Sequence, residues 1–122
     1  MPKRREDCLF CQIAREGAYV HKGKGFVAIN DINPQAPVHV LVIPEGHVDT
    51  FRDVGEFDAR ESKRMLEFVA ETAEKVGLTD YRVVVNVGPT AGQTVFHLHW
   101  HILGGIGSAE VPSAIAMAEV EL

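Results

Sequence analysis

Residues 95–103 read Val-Phe-His-Leu-His-Trp-His-Ile-Leu, VFHLHWHIL. Imidazole and apolar side chains alternate, and an alternation of two is the period of a β-strand: His97, His99 and His101 take one face, while Phe96, Leu98, Trp100 and Ile102 take the other. The apolar face calls for a core beneath it. Neighbours on one strand face stand roughly 6.5 to 7 Å apart, so three imidazoles in a row do not by themselves converge on one ion. Gly104 and Gly105 end the run.

Outward from this stretch, residues 81–87 (YRVVVNV) predict a second strand, joined to the histidine run by the glycine-bearing loop 88–94 (GPTAGQT). Residues 26–30 (FVAIN) and 38–43 (VHVLVI) predict two more, closed by Pro44 and Gly46. Between them lies the loop 31–37 (DINPQAP), where the residue before each proline is pushed away from helix. That loop lets the two strands pair antiparallel. Residues 22–25 read as punctuation, with His21 as a solvated histidine beside that Gly/Lys turn. From 56 to 76 the period changes: Met65, Leu66, Val69, Ala73 and Val76 recur at helical spacings among charged residues, and Gly77 stops the helix. The class is α+β, an antiparallel sheet with a long helix on one face. Residues 111–122 carry only weak patterning.

Length and composition bound the function. A chain of 122 residues, 46% hydrophobic and 24% charged, has room for one folded domain. No apolar run approaches the roughly 18 to 20 residues that span a bilayer, and the start MPKRREDCLFC has no apolar stretch after its charges, so a cytoplasmic protein without membrane partners is expected. A net charge of −5 is the wrong sign for gripping long nucleic acid through its phosphates. One phosphate, by contrast, needs only local donors.

The row of histidines has two functional readings: a metal site, or nucleophilic catalysis in which the middle imidazole attacks an electrophile such as phosphorus. The loop before it favours the second, because Gly88, Gly92, Gln93 and Thr94 can offer backbone N–H groups and short polar side chains to anionic oxygens. Cys8 and Cys11, three apart, are ambiguous between zinc, redox chemistry and two buried thiols.

Residues 92–103 (GQTVFHLHWHIL) resemble the signature of the histidine-triad superfamily. Residues 31–44 with His47, and residues 83–86 with Gly88, are similar to the upstream blocks of its nucleotide-binding branch, so the resemblance covers about 8–105. It implies a single domain over 1–122 with a tail from 106 to 122, built as an antiparallel sheet of about five strands with one long helix and a short N-terminal helix, and paired as a homodimer. It also implies hydrolysis or transfer at the α-phosphorus of a purine nucleotide, an AMP conjugate with a P–N bond, through a nucleotidyl-histidine. His99 is then the nucleophile, His101 contacts the phosphate or assists the leaving group, and His39 lies behind the catalytic imidazole. Asp31 binds the ribose, and Asn86, Gly92, Gln93 and Thr94 hold phosphate oxygens. Phe10, Ile13, Ile29, Ile32 and Leu41 enclose the base. No Mg²⁺ motif is visible.

In part of this superfamily a CxxC pair shares zinc with two histidines, and the resemblance assigns Cys8, Cys11, His47 and His97 to such a structural site. After Gly105 the chain runs Ile106-Gly107-Ser108 into an alanine-rich acidic tail, without the arginine- or tryptophan-bearing ending of the branch. The run Ile-Leu-Gly-Gly after His101 speaks against a dinucleoside polyphosphate hydrolase, which carries Leu-Pro-Arg there. The remaining alternative is a zinc-stabilised nucleotide-binding or interaction protein with little turnover.

Overall fold

Lys24 and Gly25 make a two-residue turn in which Gly25 adopts φ +91°, a conformation that favours glycine, and the chain on either side pairs as β1 (His21–Gly23) and β2 (Phe26–Asn30). The first strand therefore runs into the stretch read as punctuation. The computed structural model describes residues 7–105, and the weakly patterned 111–122 and the departure at 106–108 lie outside them. Loop 31–37 returns the chain as β3 (Val38–Pro44), antiparallel to β2, with Asp31 N–H donating to the His39 carbonyl at 3.0 Å. With β4 (Tyr81–Val84) and β5 (Trp100–Gly104) the sheet has five antiparallel strands in the order β1-β2-β3-β5-β4.

The strand predicted over 95–103 is shorter than expected, and His97 and His99 lie before it. Proline explains the difference. The β3–β5 register pairs Val42 with Trp100, so its continuation would set Pro44 opposite Leu98, and proline has no N–H to give the ladder. Leu98 N–H turns instead to the Val48 carbonyl at 2.8 Å. The strand predicted over 81–87 stops at Val84 for a related reason. Val84 pairs with His101, and β5 has only one more residue on that side.

Alternation along each strand sorts the core into two layers. Phe26, Ala28, Val42, Trp100 and Ile102 pack against Phe68 and its neighbours on α2 (Ala59–Lys75), while Val27, Leu41 and Ile43 face Phe10 and Ala14 of α1 (Leu9–Glu16). The helix predicted over 56–76 begins later, because Asp58 caps it and Glu61 completes a capping box; residues 51–56 form a separate 3-10 turn. Its buried stripe is Met65, Phe68, Val69, Thr72 and Ala73, whereas Leu66, one residue and about 100° from Met65, is exposed. His21 is not a solvated side chain: it stacks on Phe68 with ring centroids 4.8 Å apart and lies 3.7 Å from Glu71.

Candidate active site and metal-binding group

The early end of the β5 ladder divides the histidines between two tasks. Cys8 caps α1 and Cys11 sits one turn into it, His47 follows β3, and His97 lies at a bend before β5. Their ligand atoms gather within 4.8 Å of one another. His97 Nδ1 is 3.3 Å from Cys8 Sγ, 3.4 Å from Cys11 Sγ and 3.2 Å from His47 Nδ1, and Cys11 Sγ is 3.4 Å from His47 Nδ1. A tetrahedron of bonds roughly 2.0 to 2.3 Å long has edges of roughly 3.3 to 3.8 Å, which these separations approach. His47 Nε2–H donates to Asp49 Oδ1 at 2.6 Å and His97 Nε2–H to the Pro44 carbonyl at 2.8 Å. Both Nδ1 lone pairs therefore turn inward beside two sulfurs, a donor set that fits a cation. Burial pushes the His97 imidazole down to about 4, so it stays neutral and able to ligate at pH 7.

The other two triad histidines are set by backbone groups. His99 Nδ1–H donates to the His97 carbonyl at 2.7 Å, so a neutral His99 carries its lone pair on Nε2. His39 Nδ1 accepts from Gln35 N–H at 3.0 Å, which places the His39 proton on Nε2. That proton meets His101 Nδ1 at 2.9 Å, and a neutral His101 is consequently protonated on Nε2. Two buried imidazoles with centroids 5.1 Å apart thus hold opposite tautomers, one a nucleophile and one a donor. The edge of Phe10 packs on His99 at 5.0 Å.

His39 stands behind His101 and reaches His99 only through it, which corrects the expectation that it backs the nucleophile. The register explains why: Leu41 opposes His101 and His39 opposes Leu103, so His39 and His101 are diagonal neighbours on one face. Asp31, expected at the ribose, lies beside His39. Its side chain is 1% exposed, Oδ1 accepts from Asn33 N–H at 2.8 Å, and Oδ2 faces His39 Nε2 at 3.4 Å.

The glycine loop differs most from its reading. Gly88 N–H donates to Gln93 Oε1 at 2.9 Å, Gly92 N–H to the Pro89 carbonyl and Gln93 N–H to the Gly88 carbonyl. Gln93 Nε2 donates to the Asp49 and Val95 carbonyls at 2.8 and 3.0 Å. A 3-10 turn at residues 89–91 closes the loop on itself, so three of its four expected anion donors are already engaged and Gln93 is a clasp. Exposed Thr94 is outside that web, and Asn86 is partly buried two residues beyond β4. Of the base-enclosing set, Phe10 and Leu41 are buried and Ile13 and Ile29 pack beside them, but Ile32 is 90% exposed at the tip of loop 31–37. Gln93→Ala should cost about 2–3 kcal/mol by leaving buried amide and carbonyl groups unmet. A melting temperature within a degree of the wild type would contradict the clasp.

Asp49 was legible as His-x-Asp spacing once His47 was a ligand. The Gln35 amide and the Pro44 and His97 carbonyls carried no side-chain signal at all.

With this geometry in view, comparison with known proteins gives a direct result: the HIT domain profile matches residues 15–107. The chain belongs to the HIT domain family. It is 40% identical over 104 residues to Protein HitA of Neisseria gonorrhoeae, covering 81% of this chain and 96% of that one. It is 35% identical over 105 residues to the purine nucleoside phosphoramidase of Escherichia coli K12, covering 82% and 88%. Among solved structures, a HIT family hydrolase from Legionella pneumophila Philadelphia 1 superposes with a TM-score of 0.74 at 40% identity, covering 81% of this chain and 93% of that chain. Cys8 and Cys11 precede the matched residues of this HIT domain. No helix among the described residues is long and apolar enough to cross a membrane.

Burial holds the His39 imidazole below its ordinary value, with Asp31 pulling the other way. The folded state therefore binds fewer protons than the unfolded chain below the unfolded value of about 6.5, and the stabilising contribution, complete above that pH, is lost as pH falls. The urea midpoint should drop between pH 7.5 and pH 5, with a shallower slope in His39→Asn. Equal slopes would remove His39 from the account.

Proposed function

We propose that this HIT protein is a hydrolase or transferase of purine nucleotides, acting at the α-phosphorus of AMP conjugates with P–N bonds. The observation that carries this reading is the pair of opposite tautomers on His99 and His101. A relative at 35% identity named purine nucleoside phosphoramidase supports the substrate class.

In the first displacement, His99 Nε2 attacks phosphorus, the P–N bond breaks, and the departing amine takes the proton from His101 Nε2. His101 Nε2 recovers its proton from the water that attacks in the second displacement. In the second, water attacks the nucleotidyl-histidine and releases AMP, returning His99 to its starting tautomer. Dividing the reaction lets an oriented imidazole replace a water at the first step. Thr94 and Asn86 are the side chains assigned to phosphate oxygens, and Phe10, Leu41, Ile13 and Ile29 form the apolar wall for the base. The direct test is to trap the enzyme with an adenosine phosphoramidate and locate the adduct by mass spectrometry. A nucleotidyl group on His97 or His101 would overturn the scheme.

The ion we assign to Cys8, Cys11, His47 and His97 is zinc, because two thiolates and two imidazoles in a closed tetrahedron suit it and leave no open position. Its role here is structural. Edge strand β4 exposes Tyr81 and Val83 (39% and 41%), an apolar strip that a second copy would cover in a homodimer. The solution mass should be twice that of the chain, and a monomer at micromolar concentration would refute the dimer.

A further inference from the structure

Cys8 and Cys11 do more than supply two sulfurs. Cys8 is the N-cap of α1, partly exposed, and its Sγ accepts from Cys11 N–H at 3.4 Å. It lines an open cavity of about 340 Å³, together with His47, Asp49, Thr94 and Phe96, through which a small solute can reach it. Cys11 is completely buried behind it, and the two sulfurs lie within 4.8 Å. Between them in sequence is Phe10, whose ring meets both His97 and His99, at 6.1 and 5.0 Å. His97 in turn faces the sulfurs with Nδ1 and holds the His99 proton with its carbonyl. The nucleophile is thus connected to the cysteines by two short routes, one through a ring and one through a peptide.

We propose that Cys8 and Cys11 form a peroxide-reactive dithiol, whose oxidation to a disulfide releases the metal and uncouples α1 from the nucleophile. The Cys8 thiolate attacks one peroxide oxygen, the O–O bond breaks, and the other oxygen leaves as water or an alcohol after taking a solvent proton. The resulting Cys8 sulfenic acid is attacked by the Cys11 thiolate; the S–S bond forms, the S–O bond breaks, and hydroxide leaves as water with a second solvent proton. Two electrons pass from the sulfurs to the peroxide. The two sulfurs, which lie within 4.8 Å, must close to the roughly 2.05 Å of a disulfide bond. Closing the bond therefore pulls in the first turn of α1, which carries Phe10, and removes two of four ligands from His47 and His97. The effect on turnover rests on the hydrolase reading above; the metal release does not.

The test uses the full-length, zinc-loaded protein treated with hydrogen peroxide. A chromophoric chelator follows released zinc, mass spectrometry follows a Cys8–Cys11 disulfide, and adenosine phosphoramidate turnover is read in parallel. One zinc should leave per disulfide formed, and turnover should fall at least about tenfold, the scale of losing a group that orients a ligand. Both should recover with a thiol reductant and zinc. Cys8→His keeps a four-donor N/S set but cannot close the disulfide, so it should retain its metal through the same treatment; Cys11→His serves if the first variant does not load. His99→Asn should release zinc as the wild type does, which separates this proposal from the hydrolase reading. A disulfide that forms with zinc retained, zinc lost equally from the histidine variants, or full turnover after release would each overturn it.

Discussion

His99→Asn should lower adenosine phosphoramidate turnover by at least about 10³-fold, on the order of 4 kcal/mol of transition-state stabilisation, while nucleotide affinity survives. The expected size follows from what asparagine lacks. Its amide can still donate to the His97 carbonyl, the bond that His99 Nδ1 makes at 2.7 Å, but it offers no basic nitrogen to phosphorus. His99→Gly should lose as much, because removing the nucleophile abolishes the two-step route whichever side chain replaces it. His101→Ala should be milder, since it removes a proton donor and leaves the attacking nitrogen in place. His39→Asn should be milder still, acting only through His101. A His99→Asn enzyme at wild-type rate would assign the chemistry elsewhere, whereas preserved affinity with no turnover even in the wild type would favour a binding protein.

Removing the metal should produce the largest loss of stability. An ion that binds only the folded chain contributes about 4 kcal/mol when free metal exceeds its dissociation constant a thousandfold, and for a chain of this size that corresponds to about 10–20 °C in the melting midpoint. Four ligands from three separate segments converge on this ion: the N-cap and first turn of α1, the chain after β3, and the stretch before β5. Without it, two inward-facing imidazole lone pairs remain 3.2 Å apart. Metal analysis of protein purified under reducing conditions should find close to one zinc per chain, and Cys8→Ser with Cys11→Ser should abolish it. A double serine variant that kept full zinc would show that the group is not the site. His97→Ala should act mainly by this route, with metal and stability lost together.

Residues 26–30 and 38–43, as short β-type apolar runs, and 95–103, by its alternation, made the sheet legible because such patterns are local properties that each strand carries with it. The same is true of α2, where the stripe from Met65 to Ala73 repeats with the helix. The metal group was legible only through the family resemblance, because the spacing of Cys8 and Cys11 alone leaves zinc, redox chemistry and buried thiols open. Asp58 and Glu61 mark the start of α2 in the chain itself, and the capping box they form explains why the helix begins at Ala59.

What the chain determined by itself is therefore the kind of each element and the identity of the reactive side chains. Only the tertiary structure decided their division of labour. Pro44 ends a ladder two strands away from where it stands in sequence, and that ending turns His97 toward the cysteines and leaves His101 in the sheet. The β3–β5 register places His39 behind His101 and not behind His99. Backbone carbonyls and amides of His97 and Gln35 then select the two tautomers. Every residue bears the same carbonyl and every residue except proline the same amide, so their positions have no signature in sequence; they acquire chemical meaning only when folding brings a particular one against a particular ring.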